Sequence, residues 1–451
     1  MSEFDLMIRG GTVVTPEALL SADLGISNGQ IVALQSDLRG SSREAIDATG
    51  CHIFPGLIDS HVHFNDPGRA HWEGIETGSR ALAAGGGTLF FDMPLNAHPP
   101  TLDGPSFDQK LAVAQASSLV DFAFWGGLVP GNLDHLEELA ERGVIGFKAF
   151  MSNSGIEDFP RSDEQTLREG MKRAARLNRL VAVHAESETM TSELAQERLA
   201  QNRTTIRDYL KSRPTQAELA AIRCAIELSG ETGCALHIVH VSCGAGVALV
   251  VQARAAGVNV TCETCPHYLV LTEEDMEALG AVAKCAPPLR DDSTRAGLWD
   301  CVRLGQISTI GSDHSPAPPD MKRDPNFFRV WGGISGVQHT LPLLITEGHM
   351  QRQIPLHKLG LLFSGNVVER FQLPPGRGRI ALGADADLAL VDMSQAFAVS
   401  ASELHYRHAQ SPYVGRRLTG KVRQTILRGQ TVFRDGRFHQ PAGRLVRPGR
   451  N

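Results

Sequence analysis

The sequence predicts an α/β protein: eight repeated β-α units arranged as a TIM-type barrel, with small antiparallel sheet at both ends of the chain. Three observations predict it. From about residue 55 to 375, short apolar runs alternate with helical segments. The apolar runs number eight. Before and after this region, short β-rich runs alternate instead with Gly and Asn turns.

Composition sets the limits. A chain of 451 residues allows two or three domains, or one large barrel with additions. With 42% hydrophobic and 21% charged residues it can bury a large core, which excludes a disordered polymer. Lys and Arg number 44 against 50 Asp and Glu, a net charge of -6 with no basic run, so no nucleic acid partner is expected. The N-terminal MSEFDLMIRGGTVV lacks a basic segment followed by a signal-length apolar stretch, and no run of eighteen apolar residues occurs, so the expectation is a soluble cytoplasmic protein with no membrane partner. The eight cysteines are too scattered for a disulfide framework. Cys262 and Cys265 make one C-x-x-C, but a structural zinc site needs two more ligands at a matching spacing.

In order, the N-terminal β-rich runs are LMIRGGTVV, ADLGISNGQIVALQ and AIDATGCHIFPG. The central runs follow: LIDSH (57–61), TLFFD (88–92), DFAFWGG (121–127), VIGFKAF (144–150), LVAVH (180–184), ALHIVHV (235–241), VNVTC (258–262) and STIGSD (308–313). Segments such as EQTLREGMKRAARLNRL and QAELAAIRCAIELSG carry the helical period between them. RIALGADADLALVDM and KVRQTILRGQTVFRDG return to short strands. Eight such units fit a barrel whose active site lies at the C-terminal ends of its strands. An open doubly wound sheet would carry a Gly-rich phosphate loop after its first strand, and here SHVHFNDPG follows.

Several of these strands end in metal-ligand side chains. Alternation puts His61 and His63 on one face of the first strand, where both imidazoles can grip one ion. His184 closes the fifth run, His240 lies at the end of the sixth, and Asp313 follows the eighth. Four histidines and one aspartate exceed what one tetrahedral zinc requires, and they suffice for two ions only with a bridge. Lys148, a lone cation inside VIGFKAF, can supply it: burial favours the neutral amine, which reacts with carbon dioxide to give a bidentate carbamate. The bland alternative is a lysine snorkelling from the rim. His237, deeper on the sixth strand, is expected to pack or hydrogen-bond rather than ligate.

These residues resemble the cyclic amidohydrolases, the family of dihydroorotases, hydantoinases and allantoinases. The resemblance covers essentially the whole chain, from the H-x-H after Gly56-Leu57-Ile58-Asp59 to Ser312-Asp313-His314 and the Gly378–Leu388 segment. It implies a TIM barrel over 54–376 and a small β-sandwich built jointly from 1–53 and 377–451. Within the family the likeness is sharpest with the allantoinases, through Gly68-Arg69-Ala70-His71-Trp72-Glu73-Gly74, Met93-Pro94-Leu95-Asn96, Ser154–Pro160 and Ser411–Arg416. Two features depart from the sibling activities. Asn65 stands where dihydroorotases carry an Arg for the substrate carboxylate, and Phe150-Met151-Ser152-Asn153 lacks the Tyr of hydantoinases.

The resemblance implies two divalent metal ions per chain, zinc by default with cobalt, manganese or iron able to occupy the same ligands. One ion falls to His61, His63 and Asp313, the other to His184 and His240, with carbamylated Lys148 on both. Asp313 is the expected catalytic acid and base in hydrolysis of (S)-allantoin to allantoate. Asn96 and Ser315 are expected substrate contacts, as is the backbone around Cys285 and Pro288. A homotetramer is implied as well. A hydantoinase or dihydroorotase, a one-metal amidohydrolase and a non-catalytic relative are the alternatives.

Overall fold

The computed structural model describes residues 2–449. The N-terminal segment forms β1 (Phe4–Arg9), β2 (Thr12–Val14), β3 (Leu19–Ser21), β4 (Asp23–Ser27), β5 (Gln30–Gln35), β6 (Ser42–Asp47) and β7 (Cys51–Pro55). All eight central apolar runs are strands: β8 (Leu57–Val62), β9 (Gly87–Asp92), β10 (Asp121–Phe124) continued by β11 (Gly126–Gly127), β12 (Gly146–Phe150), β13 (Leu180–His184), β14 (Leu236–Ile238), β15 (Val260–Thr264) and β16 (Thr309–Ile310). The C-terminal segment adds β17 (Leu388–Ala398), β18 (Arg417–Leu427), β19 (Gln430–Arg434) and β20 (Arg437–Phe438).

The central strands are parallel and pair in chain order, β8 to β10 in one sheet and β11 to β16 in a second. β8, β9, β10 and β13 are buried at every position, as parallel strands covered on both faces must be. The two sheets are linked at both margins. Trp125 connects β10 to β11, and Ile145 N donates to Phe124 O at 3.0 Å. At the other margin Val62 and His314 form a parallel bridge, and His63 N donates to His314 O at 2.8 Å. There Asp59 Oδ1 accepts from His61 N at 3.1 Å and from Ser312 N at 3.0 Å, so one buried carboxylate ties the first and last strands together.

The helices between strands follow from apolar spacing and capping. In Glu164–Arg176 the buried residues are Leu167, Gly170, Met171 and Ala174, one stripe at the helical period. Asp163 starts the helix by accepting from Thr166 N at 2.8 Å. Burying Leu167 and Met171 contributes about 1.5–3 kcal/mol each.

Both chain ends interleave. One sheet runs β5-β4-β1-β6; the other runs β20-β19-β18-β17-β7-β2-β3, with β7 pairing β17 from Pro55↔Leu388 to Cys51↔Asp392. Ile8, Leu24 and Ile53 share one apolar cluster with Ile380, Leu388 and Ile426. The expectation of purely antiparallel end sheets is corrected, because β1·β6 and β2·β7 are parallel. Alternating apolar residues specify a strand but not its direction, and here the intervening hairpins return the chain by crossover. The tail crosses to β10, where Val446 N donates to Phe122 O at 2.8 Å. Beside it, buried Asp121 accepts from Arg377 Nη2 at 2.8 Å, from Arg444 N at 2.9 Å and from Arg428.

Candidate active site and metal centre

A cavity of about 470 Å³ opens beyond the C-terminal ends of the central strands, and His61, His63, His184, His240 and Asp313 all line it. The side chains of His61, His63 and Asp313 offer ligand atoms within 4.8 Å of one another. Asp313 Oδ1 lies 3.3 Å from His61 Nε2 and 3.4 Å from His63 Nε2. Across the floor, His184 Nδ1 is 3.0 Å from His240 Nε2, and the His61 and His240 rings are 5.5 Å apart. His240 and Asp313 hold φ of 41° and 46°, a left-handed backbone uncommon outside glycine, though Asp and His adopt it more readily than most. Gly311 lets β16 approach, since a Cβ there would lie 2.6 Å from Glu263 Oε2.

Electrostatics suits a cation. Burial pushes the imidazoles of His63, His184 and His240 below their ordinary pKa, which keeps them neutral donors. Burial pushes Asp313 up, yet His61 and His63 outweigh it and hold the carboxyl well below the usual range. Lys148, fully buried on β12, has an Nζ with no hydrogen-bond partner among the described residues. Burial lowers its pKa to about 8, against the pull of Asp313 and Glu263. Its Nζ lies 4.9 Å from the Phe150 ring centroid, and that ring stacks on His184. Neutral imidazoles, one carboxylate and an orphaned amine form a donor set that fits divalent ions.

Behind the imidazoles stand carboxylates that sequence reasoning missed. His61 Nδ1 is 2.7 Å from Glu263 Oε1, which directs Nε2 toward the cavity. Ser60 Oγ donates to Glu263 Oε2 at 2.6 Å. His184 Nε2 is 2.8 Å from Glu186 Oε2, and Glu186 is paired in turn with Arg213. Glu263 carried a partial signal, an acid directly after the run VNVTC and still within its strand. His237 lies deeper, with Nδ1 2.7 Å from Thr261 Oγ1.

Of the expected substrate contacts, Asn96, Ser315 and Cys285 line the cavity, whereas Pro288 is buried and absent from its wall, which reaches only to Ala286. The Asn96 amide nitrogen lies 3.3 Å from His63 Nδ1 and 3.4 Å from Ser315 Oγ. Arg69 Nη1 donates to Asn96 O at 3.1 Å and to Ala97 O at 3.3 Å, while its guanidinium packs over Trp72. Trp72 meets Trp331, a cavity residue, edge-on at 4.9 Å. The Trp331 loop is pinned by two lysines, one buried (Lys284) and one half-buried (Lys322). Lys284 Nζ donates to Phe327 O and Val330 O, each at 2.5 Å, and Lys322 Nζ to Trp331 O at 2.9 Å and Gly333 O at 2.8 Å. Ser411–Arg416 supports the wall from outside, with Ser411 Oγ donating to Ser335 O at 2.7 Å.

Parallel strands delivering histidines and an aspartate to one mouth define a metal-dependent hydrolase site. The chain belongs to the amidohydrolase family, whose model matches residues 52–432. It is 57% identical to the allantoinase of Rubrobacter xylanophilus over 451 residues, covering 100% of this chain and 99% of that one. It is 51% identical to the allantoinase of Deinococcus radiodurans, over 98% of this chain and 99% of that one. Among solved structures it is similar to the L-hydantoinase (dihydropyrimidinase) of Arthrobacter aurescens, with a TM-score of 0.95 and 32% identity over 98% of this chain and 100% of that one. The dihydropyrimidinase of Brevibacillus agri NCHU1002 gives 0.92 and 31%, over 99% of each chain. No helix among the described residues is long and apolar enough to cross a membrane.

Proposed function

We propose that this chain hydrolyses the cyclic amide of (S)-allantoin to give allantoate, using two divalent ions held by His61, His63, Lys148, His184, His240 and Asp313. The observation that carries the chemistry is the convergence of His61, His63 and Asp313 within 4.8 Å. The buried Lys148 amine, without a partner among the described residues, supports the second half of the site. Likeness to allantoinases along the full chain supports the substrate. Bound there, two divalent ions supply a hydroxide nucleophile at neutral pH and polarise the scissile carbonyl. Zinc suits the donors; cobalt, manganese and iron are the other candidates.

The protein's own groups do the rest. Lys148, as the carbamate formed with carbon dioxide, joins the two halves of the ligand set. Asp313 takes the proton of the attacking water on a carboxylate oxygen and returns it to the departing ring nitrogen. Glu263 and Glu186 orient His61 and His184. The Asn96 amide and Ser315 hydroxyl offer hydrogen bonds to the ring or its ureido tail, with the backbone near Cys285 opposite. Pro288 belongs to the same proposed backbone segment, two residues beyond the part that lines the cavity.

The same reading treats the central strands, residues 54–376, as one closed (β/α)8 barrel, supported by the Val62 bridge to His314. Residues 1–53 and 377–451 together make the β-sandwich, supported by β7 pairing with β17. A cytoplasmic setting is supported by eight unpaired cysteines. Self-association, as the homotetramer requires, is supported by Leu19 and Leu20, exposed on the edge strand β3. Fractionation and sedimentation test these two.

The function is tested by assaying (S)-allantoin, dihydroorotate, hydantoin and dihydrouracil with protein reconstituted with zinc, cobalt or manganese in bicarbonate buffer. Turnover of allantoin alone is the expected result. Preference for another ring would overturn the substrate and leave the metal chemistry standing.

A further inference from the structure

At the opposite end of the strands from the candidate active site, a second cavity of about 140 Å³ opens where β12 to β15 begin. Arg179 immediately precedes β13, Asn259 immediately precedes β15, and Arg370 ends the helix Gly365–Arg370; all three line the cavity. The partners of the two arginines are neutral. Arg370 Nη1 donates to Asn259 Oδ1 at 2.7 Å and Nη2 to Leu236 O at 2.6 Å, while Arg179 Nη1 donates to Asn178 O at 3.1 Å. The Nε of each is buried with no hydrogen-bond partner among the described residues. No Asp or Glu among the described residues lines the cavity.

Three other buried or half-buried guanidinium groups in this protein have a carboxylate partner. Arg213 pairs with Glu186, Arg290 with Glu218 at 3.0 Å, and Arg377 with Asp121 at 2.8 Å. At Arg370 burial brings the pKa down to about 10, against the pull of the Cys234 thiol; Arg254, another cation, adds a smaller push in the same direction as burial. Burial alone lowers Arg179. Desolvated cations without a counter-charge are costly, and a guanidinium fork is shaped to accept a planar or tetrahedral oxyanion.

We infer that this cavity binds one small tetrahedral oxyanion of the phosphate class, gripped between Arg179 and Arg370. The volume matches the ligand: at about 30 Å³ per water it is the space of four or five waters, which suits a phosphate and is below the range of drug-sized pockets. The ion would join the starts of β13, β14 and β15, since Arg370 already holds Leu236 and Asn259. The inference is independent of the reaction proposed for the opposite face.

The test is calorimetric melting of the metal-loaded enzyme, with sodium chloride exchanged for inorganic phosphate at constant ionic strength. Above its Kd, each tenfold increase in free phosphate raises the wild-type Tm by about 1–2 °C. In Arg179→Gln the rise disappears while allantoin turnover is unchanged. Arg370→Gln behaves likewise if it folds without its bond to Leu236; if it does not, Arg179→Gln decides alone. A wild-type Tm indifferent to phosphate overturns the inference. So does a rise that persists undiminished in Arg179→Gln, which would mean phosphate binding elsewhere, at the metals included. A crystal soaked in selenate gives an anomalous peak between the two guanidinium groups, and its absence there overturns the inference independently.

Discussion

Only a neutral amine attacks carbon dioxide, so the reactivity of Lys148 depends on how far burial lowers its pKa. At the ordinary value of 10.5 about 0.03% of the amine is neutral at pH 7; at about 8 it is close to 10%, a gain of about 300-fold. The perturbation is removal of metal and carbon dioxide, followed by addition of ¹³C-labelled bicarbonate and then zinc. At fixed dissolved carbon dioxide, recovery of activity quickens about tenfold from pH 6 to 7 and levels off above about pH 8. A carbamate carbon signal appears in the NMR spectrum over the same interval. Lys148→Ala removes the bridge, so metal content falls below two per chain and turnover drops about a thousand-fold or more, roughly 4 kcal/mol of transition-state stabilisation. Lys148→Glu retains part of the activity as a shorter carboxylate bridge. Two metals and full turnover in Lys148→Ala would refute the reasoning, as would an active enzyme with no carbamate signal.

Three further outcomes are expected. Glu263→Gln loses the charge that orients His61, and metal affinity measured against a chelator falls about 10–100-fold; unchanged affinity would show that Ser60 and the strand suffice to hold the ring. Arg69→Ala frees the carbonyls of Asn96 and Ala97, so KM rises about tenfold, some 1–2 kcal/mol, with both metals retained; a change in kcat alone would count against this loop as a substrate contact. Asp387 is pushed up from 3.8 to about 6 by burial, despite Arg377 and the Arg428 backbone. Its native proton is held to higher pH than in the unfolded chain, so its contribution to stability is full below pH 3.8 and is lost as pH rises to about 6, about 3 kcal/mol in all. Asp387→Asn flattens that part of the stability profile measured by denaturant unfolding, and an unaltered slope would contradict the assignment.

The strands were legible because parallel sheet buried on both faces requires unbroken apolar runs, and the polar residues interrupting or ending those runs stood out. That logic located His61, His184, Asp313 and Lys148. Carried one residue past VNVTC it would also have reached Glu263, which is buried in β15 as Lys148 is in β12. Glu186 gave a weaker sign, two residues past His184 and so on the same side of an extended chain. Trp331 and the lysines that fix its loop gave none, because their partners are backbone carbonyls and a tryptophan far away in the sequence. Sheet direction at the chain ends was equally silent. The chain leaves the cavity wall at Ala286 and turns into the core, so Pro288 belongs to the expected backbone segment without itself lining the cavity.

The pairing of β7 with β17 has a consequence for biosynthesis. Cys51–Pro55 leaves the ribosome roughly 340 residues before its partner, and at about 5–20 residues per second that strand waits about 20–70 s with one edge open. During that interval Leu24, Ile31 and Ile53 face solvent or one another, because Leu388 and Ile426 do not yet exist. Asp121 likewise waits for Arg377, Arg428 and Arg444, all supplied by the last part of the chain. Until then the open edge of β7 is a template for pairing with other chains, and slower elongation lengthens the time for which it stays open.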